Sequence, residues 1–171
     1  MTRGRAGAKQ GNGVGNGSGG DAALAQAARA ARARAYAPYS RFQVGAAVQT
    51  ASGEVFTGAN VENASYGLCV CAERNAVMAA VLAGHRDVRA VCVITDATPP
   101  ASPCGMCRQV LLEFSRDPAT TRVIALGAGG ARAEWTVAEL IPHGFTGAQL
   151  DVPPPAAPVR SRRGSTRRPG R

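Results

Sequence analysis

The chain has 171 residues, with 20 lysines and arginines against 11 acidic residues, five cysteines and two histidines. That length holds one compact domain and excludes a second large one. The formal charge of +9 would suit a nucleic-acid or membrane-surface partner if it were spread over a folded body, but residues 1–20 carry +3 and residues 152–171 carry +6, so residues 21–151 are neutral.

The two ends read as tails. Eight glycines fall in the first twenty residues, and five prolines stand beside six arginines in the last twenty; such segments bury too little apolar surface to offset their ordering entropy. A folded domain is expected over 21–151, flanked by a disordered Gly-rich tail at 1–20 and a disordered Pro/Arg-rich tail at 152–171. The neutral domain argues against a nucleic-acid partner, while the basic C-terminal tail stays open as an electrostatic tether. No apolar run follows Met1 and none reaches membrane-spanning length, so neither secretion nor a membrane partner is expected and the default location is the cytoplasm. An odd number of cysteines cannot all pair, and in a reducing compartment such a set points to metal binding or plain burial.

Asp21 ahead of Ala22-Ala23-Leu24, with the Ala/Arg pattern through Ala35, predicts an N-capped helix that ends before Pro38. Val44–Gln49 and Glu54–Thr57 are short strand-like runs with Ser52-Gly53 as turn, predicting a hairpin. A loop follows over Ala59–Val70. Ala72 to about Ala83 reads as a helix apolar around much of its girth, stopped by Gly84. Ala90-Val91-Cys92-Val93-Ile94 is a continuous apolar run suited to a sheet covered on both faces. A helix begins around Cys104, Val123-Ile124-Ala125-Leu126 forms another buried strand, and Gly127–Gly130 lacks the Lys-Ser/Thr of a phosphate loop, so it reads as a tight turn between strands. Thr136-Val137-Ala138-Glu139 has the capping-box form and opens a short last helix before Pro142. This order argues for a three-layer α/β domain whose mixed sheet has an antiparallel hairpin and later parallel crossovers.

Chemistry-bearing residues concentrate at the starts of two helices, Cys71-Ala72-Glu73 and Pro103-Cys104-Gly105-Met106-Cys107. Cys92, among valines in mid-strand, is an ordinary core thiol. C-x-x-C by itself fits a redox pair or a metal site. On a helix, Cys104 and Cys107 lie at i and i+3 and face the same way; a third thiolate from Cys71 would leave the fourth tetrahedral position of a zinc ion for water, which describes a catalytic site. Helix starts suit thiolates because unsatisfied amides and the dipole stabilise the anion. Three thiolates on Zn²⁺ sum to a net negative charge, so a cation is expected nearby; Arg74 is the first candidate and Arg108 the second. A glutamate in a first helical turn is common for dipole reasons, but Glu73, two residues from Cys71, can take a proton from water at the metal and hand it to a nitrogen leaving group. His85 and His143 stand in loop positions without ligand spacing.

The pairing of Cys71-Ala72-Glu73 with Pro103-Cys104-x-x-Cys107 resembles the zinc nucleobase and nucleoside deaminases, with Cys where the general signature has His. Together with Tyr36–Ala46 and Asn60–Tyr66, in the same order along residues 21 to about 150, the chain is similar to the small homotetrameric cytidine deaminases. The resemblance implies a three-layer α/β/α sandwich around a mixed, roughly five-stranded sheet. It also implies one zinc per chain on Cys71, Cys104 and Cys107, and Glu73 as the catalytic proton carrier for attack of water at cytosine C4. The substrate is then a free pyrimidine nucleoside, cytidine and also 2′-deoxycytidine, as in pyrimidine salvage. By the same resemblance Phe42 packs near the nucleoside, Asn60 and Glu62 hydrogen-bond the ribose hydroxyls, and the backbone at Ala72 holds the base edge. Phe145 reaches a neighbouring subunit's site in a homotetramer, with Tyr66 in a segment used between subunits; alternatively Phe145 closes the chain's own core. Cys69-Val70-Cys71 offers two third ligands, and Cys71 is preferred because it directly precedes Ala-Glu; Cys69 is then a buried or interface thiol. Two alternatives stay open: a deaminase of nucleic-acid bases or of an aminonucleoside antibiotic, and a non-enzymatic zinc module that would tolerate loss of Glu73.

Overall fold

The computed structural model describes residues 19–150; the tails expected at 1–20 and 152–171 lie outside the described residues except for Gly19 and Gly20, which belong to the first helix. Four helices and five strands follow in the order α1 (Gly19–Arg32), β1 (Gly45–Thr50), β2 (Val55–Ala59), α2 (Ala72–Leu82), β3 (Val88–Ile94), α3 (Gly105–Glu113), β4 (Arg122–Leu126), β5 (Arg132–Thr136) and α4 (Val137–Leu140). The strands form one sheet in the order β2-β1-β3-β4-β5. β1 runs antiparallel to both β2 and β3, β3 and β4 are parallel, and β5 returns antiparallel along the edge.

Period-two alternation divides the core between the two faces of this sheet. Ala46, Val48, Val91, Val93 and Val123 pack with Ala72, Ala76, Val77, Ala80 and Leu111 of α2 and α3, and Val137 of α4 closes the same layer. Ala47, Ala90, Cys92 and Ile124 face the other way, against Leu24 and Ala28 of α1. A sheet covered on both faces is why β3 reads as an unbroken apolar run.

Gly45 and Gly58 let the two flanking helices approach closely: a Cβ at Gly45 would stand 2.5 Å from the Arg32 amide nitrogen, and one at Gly58 would stand 2.5 Å from the Ala76 amide nitrogen. The α2 helix stops as its glycine predicts. Gly84 has φ +94, its amide donates to the Val81 carbonyl, and the His85 amide donates to the Ala80 carbonyl, the two bonds of a Schellman ending. The capping box at α4 is formed, with Thr136 and Glu139 exchanging side-chain and backbone hydrogen bonds.

Three expectations are corrected. Asp21 lies inside α1 and caps nothing; its carboxylate accepts two bonds from Arg122, at 2.7 and 2.8 Å, and one from Arg132 at 3.1 Å. The α1 helix ends at Arg32, three residues before Ala35. Strand β5, across the turn at 127–130, has no apolar signature because as an edge strand it exposes Arg132 and Glu134, which pair with each other, and Glu134 also accepts from Arg122. His85, read from sequence as an ordinary exposed loop histidine, is partly buried, held by Glu54 at 2.9 Å and packed on the Phe56 ring.

Candidate active site

The topology brings four segments to one edge of the sheet. Chain entering β1 (Phe42 to Val44), chain leaving β2 (Asn60 to Glu62), the start of α2 and the start of α3 all lie at the end where β2 and β3 finish. In open α/β sheets this carboxyl end is where ligands sit.

Cys71 and Cys104 are the N-cap residues of α2 and α3, both extended at φ −70, ψ 156 and φ −67, ψ 167, and neither sulfur caps its own helix. Their side chains are thereby free to turn toward each other, while Cys107 comes up from the first turn of α3. Cys71 Sγ lies 3.7 Å from Cys104 Sγ, Cys104 Sγ lies 3.5 Å from Cys107 Sγ, and all three sulfurs fall within 4.8 Å of one another. Zinc–sulfur bonds of about 2.3 Å at tetrahedral angles separate sulfurs by about 3.8 Å, so this donor set fits a zinc ion in both chemistry and spacing. Cys69 stands apart: its half-buried sulfur accepts from the Asn63 amide at 3.3 Å and steadies the 60–70 loop.

Cys71 and Cys107 are shifted in opposite directions. Hydrogen bonding from Cys107 first, then from Cys104 and Arg74, lowers the Cys71 thiol to about 5 against the opposing effect of burial. The Cys107 thiol is pushed up, mainly because it is the donor to Cys71 and is buried. Arg74 donates from an Nη to the Cys69 carbonyl at 2.7 Å, and its buried Nε has no hydrogen-bond partner, leaving a cation beside Cys71 as three thiolates require. Arg108 turns away from sulfur and donates to the Pro103 and Leu140 carbonyls and to Ser102 Oγ.

Glu73 is only 4% exposed. Burial is the main cause that raises its carboxyl, with the negative Cys71 adding to it, while a bond from the Cys107 thiol pulls the other way. The first turn of α2 therefore holds a carboxyl that is easier to protonate than usual directly beside the sulfurs.

The comparisons with known proteins agree with this geometry. Residues 19–124 match the family model described as the cytidine and deoxycytidylate deaminase zinc-binding region. The chain belongs to that deaminase family. A cytidine deaminase of Halalkalibacterium halodurans is 50% identical over 117 residues, covering 68% of this chain and 87% of that protein. Among solved structures, the cytidine deaminase of Burkholderia pseudomallei matches with a TM-score of 0.69 and 47% identity over 72% of this chain and 98% of its own. That of Mycobacterium tuberculosis matches with a TM-score of 0.61 and 38% identity over 72% and 95%.

Around this family's zinc-binding region the remaining sequence-derived residues fall into two groups. Asn60 and Glu62 line the same edge as Phe42, and both are already at work within the fold. Asn60 Oδ1 accepts from the Val44 amide at 2.8 Å while its Nδ2 donates to the Phe42 carbonyl at 2.9 Å. Glu62 accepts from the Tyr39 and Ser40 amides at 2.9 and 3.2 Å and from the Ser40 hydroxyl, and the hydroxyl bond foremost holds its carboxyl below the ordinary range. Each keeps hydrogen-bonding capacity to spare, a second Nδ2 hydrogen and unused carboxylate lone pairs. Phe42 is 44% exposed. Phe145 and Tyr66 form the second group, exposed by 56% and 73%; Phe145 does not close this chain's own core. Ala72 is fully buried at the start of α2.

Sequence reasoning missed Ser40, which both accepts from the Phe42 amide at 3.0 Å and grips Glu62, and Asn75, whose Nδ2 ties α2 to the Ala59 carbonyl at 2.8 Å.

Proposed function

We propose that this chain hydrolytically deaminates free cytidine to uridine and ammonia, and 2′-deoxycytidine likewise. The observation that carries the reading is the buried Glu73 carboxyl beside three convergent thiols in the first turn of α2. Cys71, Cys104 and Cys107 would hold one zinc ion, which when bound supplies Lewis-acid activation of water near neutral pH.

Glu73 takes the proton that this water gives up and delivers it to cytosine N3 as the oxygen bonds to C4. It then carries the second water proton to the amine. The C4–N4 bond breaks, ammonia leaves, and the oxygen stays as the carbonyl of uridine. Burial favours this shuttle because it raises the carboxyl, which must hold a proton and release it within one turnover. Arg74 places a positive charge beside Cys71. The backbone at Ala72 holds the base edge, Phe42 packs on the nucleoside, and Asn60 with Glu62 receives the sugar hydroxyls. A carboxylate at the sugar end repels a 5′-phosphate, which favours nucleosides over nucleotides or polynucleotides. Both sugars keep the 3′-hydroxyl. The exposed Phe145 and Tyr66 support a homotetramer in which each pocket is completed by a neighbour.

The test follows the ultraviolet change from cytidine to uridine, with deoxycytidine, adenosine and single-stranded DNA in parallel, for the native chain and Glu73→Gln. The native chain is expected to contain about one zinc per chain and to turn over both pyrimidine nucleosides only. The variant should retain zinc and lose about 10² to 10⁴ in kcat; a fully active variant would remove Glu73 from the mechanism.

A further inference from the structure

Arg108 makes a three-way connection that its distance from sulfur leaves unexplained. Its Nε donates to the Pro103 carbonyl at 2.8 Å, one Nη to the Leu140 carbonyl at 3.0 Å, and the other to Ser102 Oγ at 2.9 Å. These acceptors lie on two separate stretches of chain. Ser102 and Pro103 lead directly into Cys104, and Leu140 is the last residue of α4. The next residue, Gln109, donates Nε2 to the Phe145 carbonyl at 2.6 Å. The helix that presents Cys104 and Cys107 thus also grips the C-terminal segment at residues 140 and 145.

We propose that Arg108 is a positioning residue that couples the placement of residues 140–145, and so of Phe145, to zinc held by Cys71, Cys104 and Cys107. Cys104 sits just outside α3 with extended backbone and no side-chain cap, so helical hydrogen bonding does not by itself orient its sulfur. The grip of Arg108 on residues 102 and 103 restrains that approach. Metal on Cys104 fixes the Pro103 carbonyl, and a planar guanidinium shares its orientation among all its acceptors, so the bond to Leu140 is fixed with it. Linkage makes the effect reciprocal: a neighbouring subunit packed on Phe145 tightens zinc. The inference rests on the zinc reading above.

Amide hydrogen exchange of the full chain, zinc-loaded and after chelation, tests it through peptides covering residues 100–108 and 138–147, with β4 as reference. Chelation is expected to speed exchange in both peptides of the native chain and to leave β4 unchanged. In Arg108→Gln the ligands remain, the response of 138–147 to zinc disappears, and zinc passes to a competing chelator about tenfold faster. Arg108→Lys keeps the charge but lacks the planar fork that reaches three separated acceptors, so it should behave like the glutamine variant; restoration of coupling by lysine would overturn positioning in favour of charge. Gln109→Ala, a milder change, should loosen the Phe145 end with zinc bound and, by the same linkage, speed zinc release by less than Arg108→Gln does. Identical exchange of 138–147 with and without zinc in the native chain overturns the coupling while leaving the proposed function standing. A native chain that takes up no zinc overturns both.

Discussion

Gly58→Ala tests whether the candidate site depends on the close seating of α2 against β2. A Cβ at this position would press on the Ala72 carbonyl oxygen and lie 2.5 Å from the Ala76 amide nitrogen, where ordinary contact begins at 3.4 Å. Both neighbours are helix backbone and cannot swing aside, so the first turn of α2 would have to recede by about 1 Å. Overpacking of that size costs about 1–3 kcal/mol in stability. The displaced turn carries Cys71 at its cap and Glu73 inside it, and an error of about 1 Å in placing a catalytic group costs about 10² in rate. Urea denaturation, zinc content and kcat/KM on cytidine measure the three consequences. Gly53→Ala is the matched control: Gly53 has φ +88 but open space around it, so alanine there should cost about 1 kcal/mol through backbone strain and leave kcat/KM untouched. A Gly58→Ala protein with native stability and activity would refute the reasoning.

Three further outcomes are expected. Asp21→Asn should lower stability by about 1 kcal/mol at pH 7 in low salt, because Arg122 first and Arg132 next hold the Asp21 carboxyl below the ordinary carboxylate range. A lowered folded pKa stabilises above the unfolded value and is lost as pH falls through the folded one, so the gap between variant and native protein should close under strong acid; a gap that persists there would exclude the ion pairs as its cause. Cys92, fully buried and pushed up to about 11 mainly by that burial, should resist iodoacetamide at pH 8 until the chain is unfolded, and prompt labelling of native protein would contradict its place in the core. Deleting residues 1–18 and 152–171 should leave kcat/KM on cytidine unchanged, while abolishing any salt-sensitive retention on a polyanion; a large kinetic loss would put a tail in the site.

Much of the site was legible because its signals are local. Cys104 and Cys107 share a helix face by spacing alone, and Cys71 and Glu73 are joined by one residue at a helix start, so their mutual placement is settled by a single turn of backbone. The Schellman ending at Gly84 and the capping box at Thr136 were readable for the same reason. The partners of Arg108, Asn60 and Asp21 were not, since each guanidinium, amide or carboxylate can satisfy its hydrogen bonds with whatever backbone or charge the fold brings near. Arg108 looked like a candidate for sulfur and spends itself on two carbonyls and a hydroxyl.

The amino-acid sequence by itself determined the layered α/β class, the neutral charge of residues 21–151 between basic ends, and the thiol and carboxyl chemistry at two helix starts, because periodicity and residue type act over a few residues. Only the tertiary structure decided that Cys71 and not Cys69 meets the other two sulfurs, that Glu73 is buried beside them, and that polar β5 closes the sheet edge. Those outcomes depend on which distant segments approach one another, and that is fixed by packing across the sheet, where Gly45 and Gly58 admit the helices and alternate side chains choose a face.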